Sequence, residues 1–80
     1  MEQELQNIYD SEINVRIYNF WDSEWRVSVM VGQEWISPKG YDIVSLREII
    51  PALQELIRLH FPESYYAKSL PPPLAQIINN

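Results

Sequence analysis

The 80-residue chain contains no cysteine, which excludes both a disulfide framework and a thiolate metal site. Glycine is nearly as scarce. Gly32 and Gly40 are the only two, too few and too far apart to build a phosphate-cradling loop. Basic residues are also few, six against eleven acids, for a formal net charge of −5. Proteins that bind nucleic-acid backbones draw on clustered Lys and Arg, so this balance argues against such a partner. No apolar run approaches the roughly 20 residues that span a bilayer. Met1 is not followed by the basic and apolar regions of a secretory signal. A cytoplasmic protein without a membrane segment is the expectation.

What is present favours a folded chain: 46% hydrophobic residues, with three Trp, five Tyr and two Phe. A domain of this length buries only roughly 60–65% of its unfolded surface, so its core is thin. Pairing with a copy of itself, or with another protein, would extend that core. Four of the acids (Glu2, Glu4, Asp10, Glu12) precede residue 13 with no base among them, and the rest are spread singly.

Leu5, Ile8 and Tyr9 lie at helical spacing and predict a short N-terminal helix over 2–10, too short to be stable undocked. Residues 13–21 and 25–31 read as strands. Ile13, Val15, Ile17, Trp21, Trp25, Val27, Val29 and Val31 are all odd-numbered, with Asn19 the polar exception. In a hairpin, odd pairs with odd only across a loop of odd length. This predicts a three-residue loop, Asp22-Ser23-Glu24, or a five-residue variant, with Trp21 facing Trp25 across the strands. A third strand begins at Glu34. Ser37-Pro38-Lys39-Gly40 has the residues of a turn, and Tyr41 to Val44 resumes an extended path.

Ser45 and Glu48 fit the two ends of a capping box, with Val44 and Ile49 as a hydrophobic staple, at the start of a helix that runs to about Phe61. Leu46, Ile49, Ile50, Leu53, Leu56, Ile57 and His60 share one apolar stripe, flanked by Ala52 and Leu59. Pro51 interrupts it, predicting a kink or a restart of the helix. The fold expected is α+β: a small antiparallel meander of three to four strands against one main helix. A short N-terminal helix precedes the meander. A single domain over 1–62 would be followed by an extended tail over 63–80, its Leu70-Pro71-Pro72-Pro73-Leu74 run favouring polyproline II and serving as a strap.

No catalytic, cofactor or metal-ligating constellation emerges. His60, on the apolar stripe at a helix end, reads as a structural histidine suited to the negative end of the helix dipole. Asp22 and Glu24 read as solvated turn formers. The chain is therefore expected not to be an enzyme and to use no cofactor.

The even-numbered face of the hairpin is the more informative surface. Asn14, Arg16, Tyr18 and Phe20 on one strand meet Arg26, Ser28 and Met30 on the other. Tyr, Phe, Met and Arg are the residues enriched at protein interfaces. Tyr18, Phe20, Arg26, Met30 and Trp35, with Pro71, Pro72 and Pro73 of the tail, are the candidate interaction residues. Alternatively, the N-terminal helix or the tail covers this face within one chain. The functional expectation is a non-catalytic protein–protein interaction module that forms a homodimer or binds another protein. The alternative is an acidic inhibitor or antitoxin-like protein occupying a basic enzyme or nucleic-acid-binding surface.

Overall fold

A computed structural model describes residues 2–22, 24–38 and 43–71, except the side chain of Phe20. It is α+β, as expected, with a helical layer against one face of a three-stranded antiparallel sheet. The elements in chain order are α1 (Glu2–Asp10), β1 (Val15–Trp21), β2 (Glu24–Val31), β3 (Glu34–Ile36), α2 (Ile49–His60) and α3 (Tyr65–Ser69). The strand order is β1-β2-β3.

Helix α1 ends in a Schellman motif. Ile13 N–H donates to the Ile8 carbonyl (3.4 Å) and Glu12 N–H to that of Tyr9 (2.9 Å). Glu12 holds the left-handed position of this motif, at φ 63°, where glycine is the usual occupant. Ile8 and Ile13, the two apolar residues that flank such a motif, are both buried. Tyr9, expected on the apolar face, is instead exposed.

The β1–β2 hairpin corrects the expected loop. Val15 pairs with Val29, Ile17 with Val27 and Asn19 with Trp25, but Trp21 pairs with Glu24, and the register shifts between Asn19 and Trp21. Two residues, not three, thus separate the paired Trp21 and Glu24. An extra residue in β1 restores the odd-to-odd match that a two-residue loop alone would destroy. Trp21 does not face Trp25. It is 67% exposed, whereas Trp25 packs against the core. Asn19 explains its own place in an apolar row: its amide donates to the carbonyls of Asp22 (2.9 Å) and Glu24 (3.1 Å) and closes the turn. Asp22 takes the left-handed conformation there, at φ 44°.

After β3 the chain rejoins β2 at Val44, which exchanges two hydrogen bonds of 2.8 Å with Trp25. Lys39 and Gly40 of the expected turn lie outside the described residues. Ser45 then caps one 3₁₀ turn, Leu46–Glu48, before α2 begins. The Glu48 carboxylate accepts from Ser45 N–H (2.9 Å) and from its hydroxyl (2.8 Å). Together these bonds pull the Glu48 carboxyl below the usual carboxylate range, the backbone bond most of all. Pro51 is accommodated by this change of helix type. With α2 starting at Ile49, the proline sits in the first turn, where its missing N–H would have had no intrahelical acceptor.

Ile49, Ala52, Leu53, Leu56 and Ile57 of α2 are buried against Val27 and Val29 of β2. The buried stripe includes Ala52, while Leu46 and Leu59 are exposed. Phe61 N–H closes α2 on the Ile57 carbonyl (2.8 Å).

The chain from Glu63 to Ser69 is not extended. The Ser64 hydroxyl donates to the Phe61 carbonyl (2.8 Å) and accepts from Ala67 N–H (3.1 Å), so it joins the end of α2 to the start of α3. Helix α3 exists because Tyr66 enters the core, 3% exposed. Its N–H donates to Ser11 Oγ (3.0 Å) and its hydroxyl to Glu4 Oε2 (2.7 Å), while Gln54 Nε2 donates to that hydroxyl (3.2 Å). One tyrosine thereby ties together α1, α2 and α3. Among the described residues no helix is long and apolar enough to cross a membrane.

Candidate interaction surface

Because side chains alternate along a strand, the sheet has two unlike faces. The face bearing Val15, Ile17, Val27, Val29 and Ile36 is covered by the helical layer. The other bears Arg16 and Tyr18 from β1, Arg26, Ser28 and Met30 from β2, and Trp35 from β3. Cross-strand pairing sets Arg16 beside Ser28, Tyr18 beside Arg26, and Met30 beside Trp35.

Arg16 organises this second face. Its guanidinium lies 4.7 Å from the centroid of the Trp35 ring and 5.5 Å from that of Tyr18, within cation–π range of both. To reach Trp35 the side chain crosses β2, and its Nε donates to Ser28 Oγ (3.3 Å). Ser28, on the same face, is only 2% exposed. The buried hydroxyl has its partner, as burial of a polar group requires. Tyr18 and Trp35 remain 39% and 37% exposed. The result is an aromatic surface on which the Arg16 side chain is already held in place.

Of the candidate interaction residues, the structure brings Tyr18, Arg26, Met30 and Trp35 together on this face. The side chain of Phe20, together with Pro72 and Pro73, lies outside the described residues. Pro71 belongs elsewhere: its carbonyl accepts from Arg58 Nη2 of α2 (3.0 Å), in the layer on the opposite side of the sheet. Nor does α1 cover the aromatic face. Ile8 and Glu4 place it with α2 and α3. Sequence reasoning had set Arg16 and Ser28 on this face without including them among the interaction residues. Their importance depends on Trp35 sitting diagonally across β2, which follows from the β2–β3 register.

A second feature is a shallow concavity of about 290 Å³ between α1 and α3, lined by Asn7, Asp10, Tyr65, Tyr66 and Ser69. Its one aliphatic hydroxyl, on Ser69, donates to the Tyr66 carbonyl (2.8 Å), so the lining offers no activated nucleophile. Among the described residues, no group of three or more His, Asp or Glu side chains could hold a metal ion.

No protein-family model, curated protein or solved structure matches the chain.

Proposed function

We propose that this protein is a non-catalytic protein–protein interaction module that self-associates, with the Arg16–Tyr18–Trp35 face as its contact surface. The observation that carries the reading is the pre-ordered stack itself. Arg16 is fixed by two rings and a buried serine, so little side-chain entropy remains to be lost on binding. Tyr, Trp and Arg are also the residues that dominate interface energetics. An acidic inhibitor of a basic target would need a different face, because this one presents Arg16. The exposed acids Glu2, Asp10 and Glu12 lie on α1 and its terminal turn.

Light scattering of the purified chain across a concentration series tests the reading. Association is expected, and Trp35→Ala should weaken it at least tenfold while leaving the circular dichroism spectrum unchanged. A chain that stays at 9.5 kDa throughout would overturn self-association. Association insensitive to Trp35→Ala would move the contact to another surface.

A further inference from the structure

The two edges of the sheet are protected unequally. On the β3 side, the outer strand is three residues long and runs into Ser37-Pro38, with Pro38 buried. On the β1 side, the outer strand has seven residues, no proline, no glycine and no lysine. Its one charged side chain, Arg16, is folded inward across β2 toward Trp35. Charge on the edge, proline, a bulge and short length are the usual means of blocking unwanted strand pairing. Of these devices β1 has only a bulge, which begins after Asn19 and leaves 15–19 regular.

The ladder fixes which backbone groups face outward. Trp25 uses both its N–H and its carbonyl on Val44, away from β1. At the other end, Met30 N–H donates to the Asn14 carbonyl (3.0 Å). Paired residues in an antiparallel ladder alternate between exchanging both bonds and exchanging none. Asn19/Trp25, Ile17/Val27 and Val15/Val29 are therefore the pairs that exchange none. The N–H and carbonyl groups of Val15, Ile17 and Asn19 point to the open side, and no described residue bonds them there.

We infer that this edge pairs with β1 of a second copy, antiparallel, about a two-fold axis at Ile17. The inference rests on the self-associating reading above but moves the contact from the Arg16–Tyr18–Trp35 face to the strand edge beside it, where Trp35→Ala should have little effect. Centred on Ile17, Val15 faces Asn19 of the partner copy, Ile17 faces its equivalent, and Asn19 faces Val15. Every outward-facing residue meets an outward-facing residue: three pairs at two bonds each, or about six in all. Arg16 then lies opposite the partner copy's Tyr18 at both ends, so no like charges meet.

The neighbouring registers are worse. Shifted one way, Arg16 faces the other Arg16, and like charges directly opposite are destabilising. Shifted the other way, Val15 meets Trp21 beyond the bulge, and about four bonds remain. The favoured register joins two sheets into one of six strands, with both α2 helices on one side and both Arg16–Trp35 stacks on the other. A ladder of five residues per copy is a small contact, so the dimer should dissociate in roughly the micromolar range.

The test uses the full chain. Sedimentation equilibrium should give twice the 9.5 kDa chain mass at high concentration. Tyr18→Arg sets a second cation against the partner copy's Arg16 and should raise the dissociation constant at least tenfold. Adding Arg16→Glu to that variant should restore association and make it sensitive to salt. Because the chain has no cysteine, register can be read by oxidative cross-linking. An equimolar mixture of Arg16→Cys and Tyr18→Cys chains should form a mixed disulfide dimer, while either chain alone should cross-link poorly.

A monomer at every concentration overturns both this inference and self-association. A dimer that yields no mixed disulfide but is weakened by Trp35→Ala overturns the edge alone and leaves the face as the contact. Cross-linking of Arg16→Cys with itself would overturn the register.

Discussion

Tyr66 offers the sharpest test of how the helical layer is held to itself. Replacing it with phenylalanine keeps the ring in the core and removes only the hydroxyl, which donates to Glu4 (2.7 Å) and accepts from Gln54 (3.2 Å). A hydrogen bond to a charged group contributes about 1.5–3 kcal/mol and a neutral one about 1. Glu4 and Gln54 are only half-buried and can recover water, so Tyr66→Phe should cost roughly 1–2 kcal/mol. In a domain of this size that lowers the melting temperature by about 5–15 °C.

The same contacts predict an alkaline signature. Burial first, and the Glu4 bond second, push the Tyr66 hydroxyl up from 10.0 to about 12. A group whose folded value is raised contributes stability that is fully present below pH 10 and is lost as the pH climbs toward 12. Urea unfolding followed by tryptophan fluorescence, at pH 7 and at steps from 9 to 11, measures both effects. Wild type should lose stability faster than Tyr66→Phe over the alkaline steps, so the two curves converge. Equal stability at pH 7 with parallel alkaline curves would refute the role assigned to the hydroxyl.

Three further outcomes are expected. Glu12→Gly should stabilise the chain by about 1 kcal/mol, since it removes a side chain from the left-handed position and a negative charge from a helix C-terminus; thermal melts would show it, and a fall in melting temperature would contradict the motif. Asn19→Ala should destabilise by about 1 kcal/mol through loss of the two bonds that close the hairpin turn; urea unfolding measures the cost, and an unchanged midpoint would argue against that closure. The Glu48 carboxyl is held below its ordinary 4.5 by Ser45, so its contribution is present above that pH and is lost as the pH falls through the folded value. Acid titration by circular dichroism should show wild type losing more stability than Glu48→Gln below pH 4.5, and identical acid limbs would rule this out.

Elements that depend on local chemistry were legible in the sequence. The capping residues Ser45 and Glu48, the odd-numbered apolar row and the N-terminal helix all follow from spacing over a few residues, and the structure has each of them. The hairpin loop was not legible because parity constrains only a sum. A three-residue loop, and a two-residue loop with one extra residue in β1, give the same odd-to-odd match. In the bulged register that forms, the Asn19 amide bonds the Asp22 and Glu24 carbonyls. A polar residue interrupting an apolar row was thus the available signal, and it marked the turn. Helix α3 was hidden for another reason. Five residues carry no usable periodicity, and what holds Tyr66 in place is chemistry on α1 and α2, up to 62 positions away in the chain.

The candidate surface follows the same division. Composition was enough to mark the even-numbered face as unusual, because Tyr18, Met30 and Arg26 do not belong on an indifferent solvent face. It could not show that Arg16 reaches across β2 to Trp35, since that contact joins β1 to β3 over a strand that separates them. The crossing has two consequences at once. It gives the buried Ser28 its partner and orders the aromatic face, and it withdraws from the β1 edge the one charge that strand carries. A surface ready for contact and an edge open to pairing therefore arise from one side chain. Arg16→Ala should disturb the face: its Tyr18 and Trp35 rings lose the cation that holds them, and Ser28 loses the donor that satisfies it. Fluorescence quenching of the three tryptophans by acrylamide should rise in that variant as Trp35 is released. Unchanged quenching would mean that the stack contributes nothing to the order of the face.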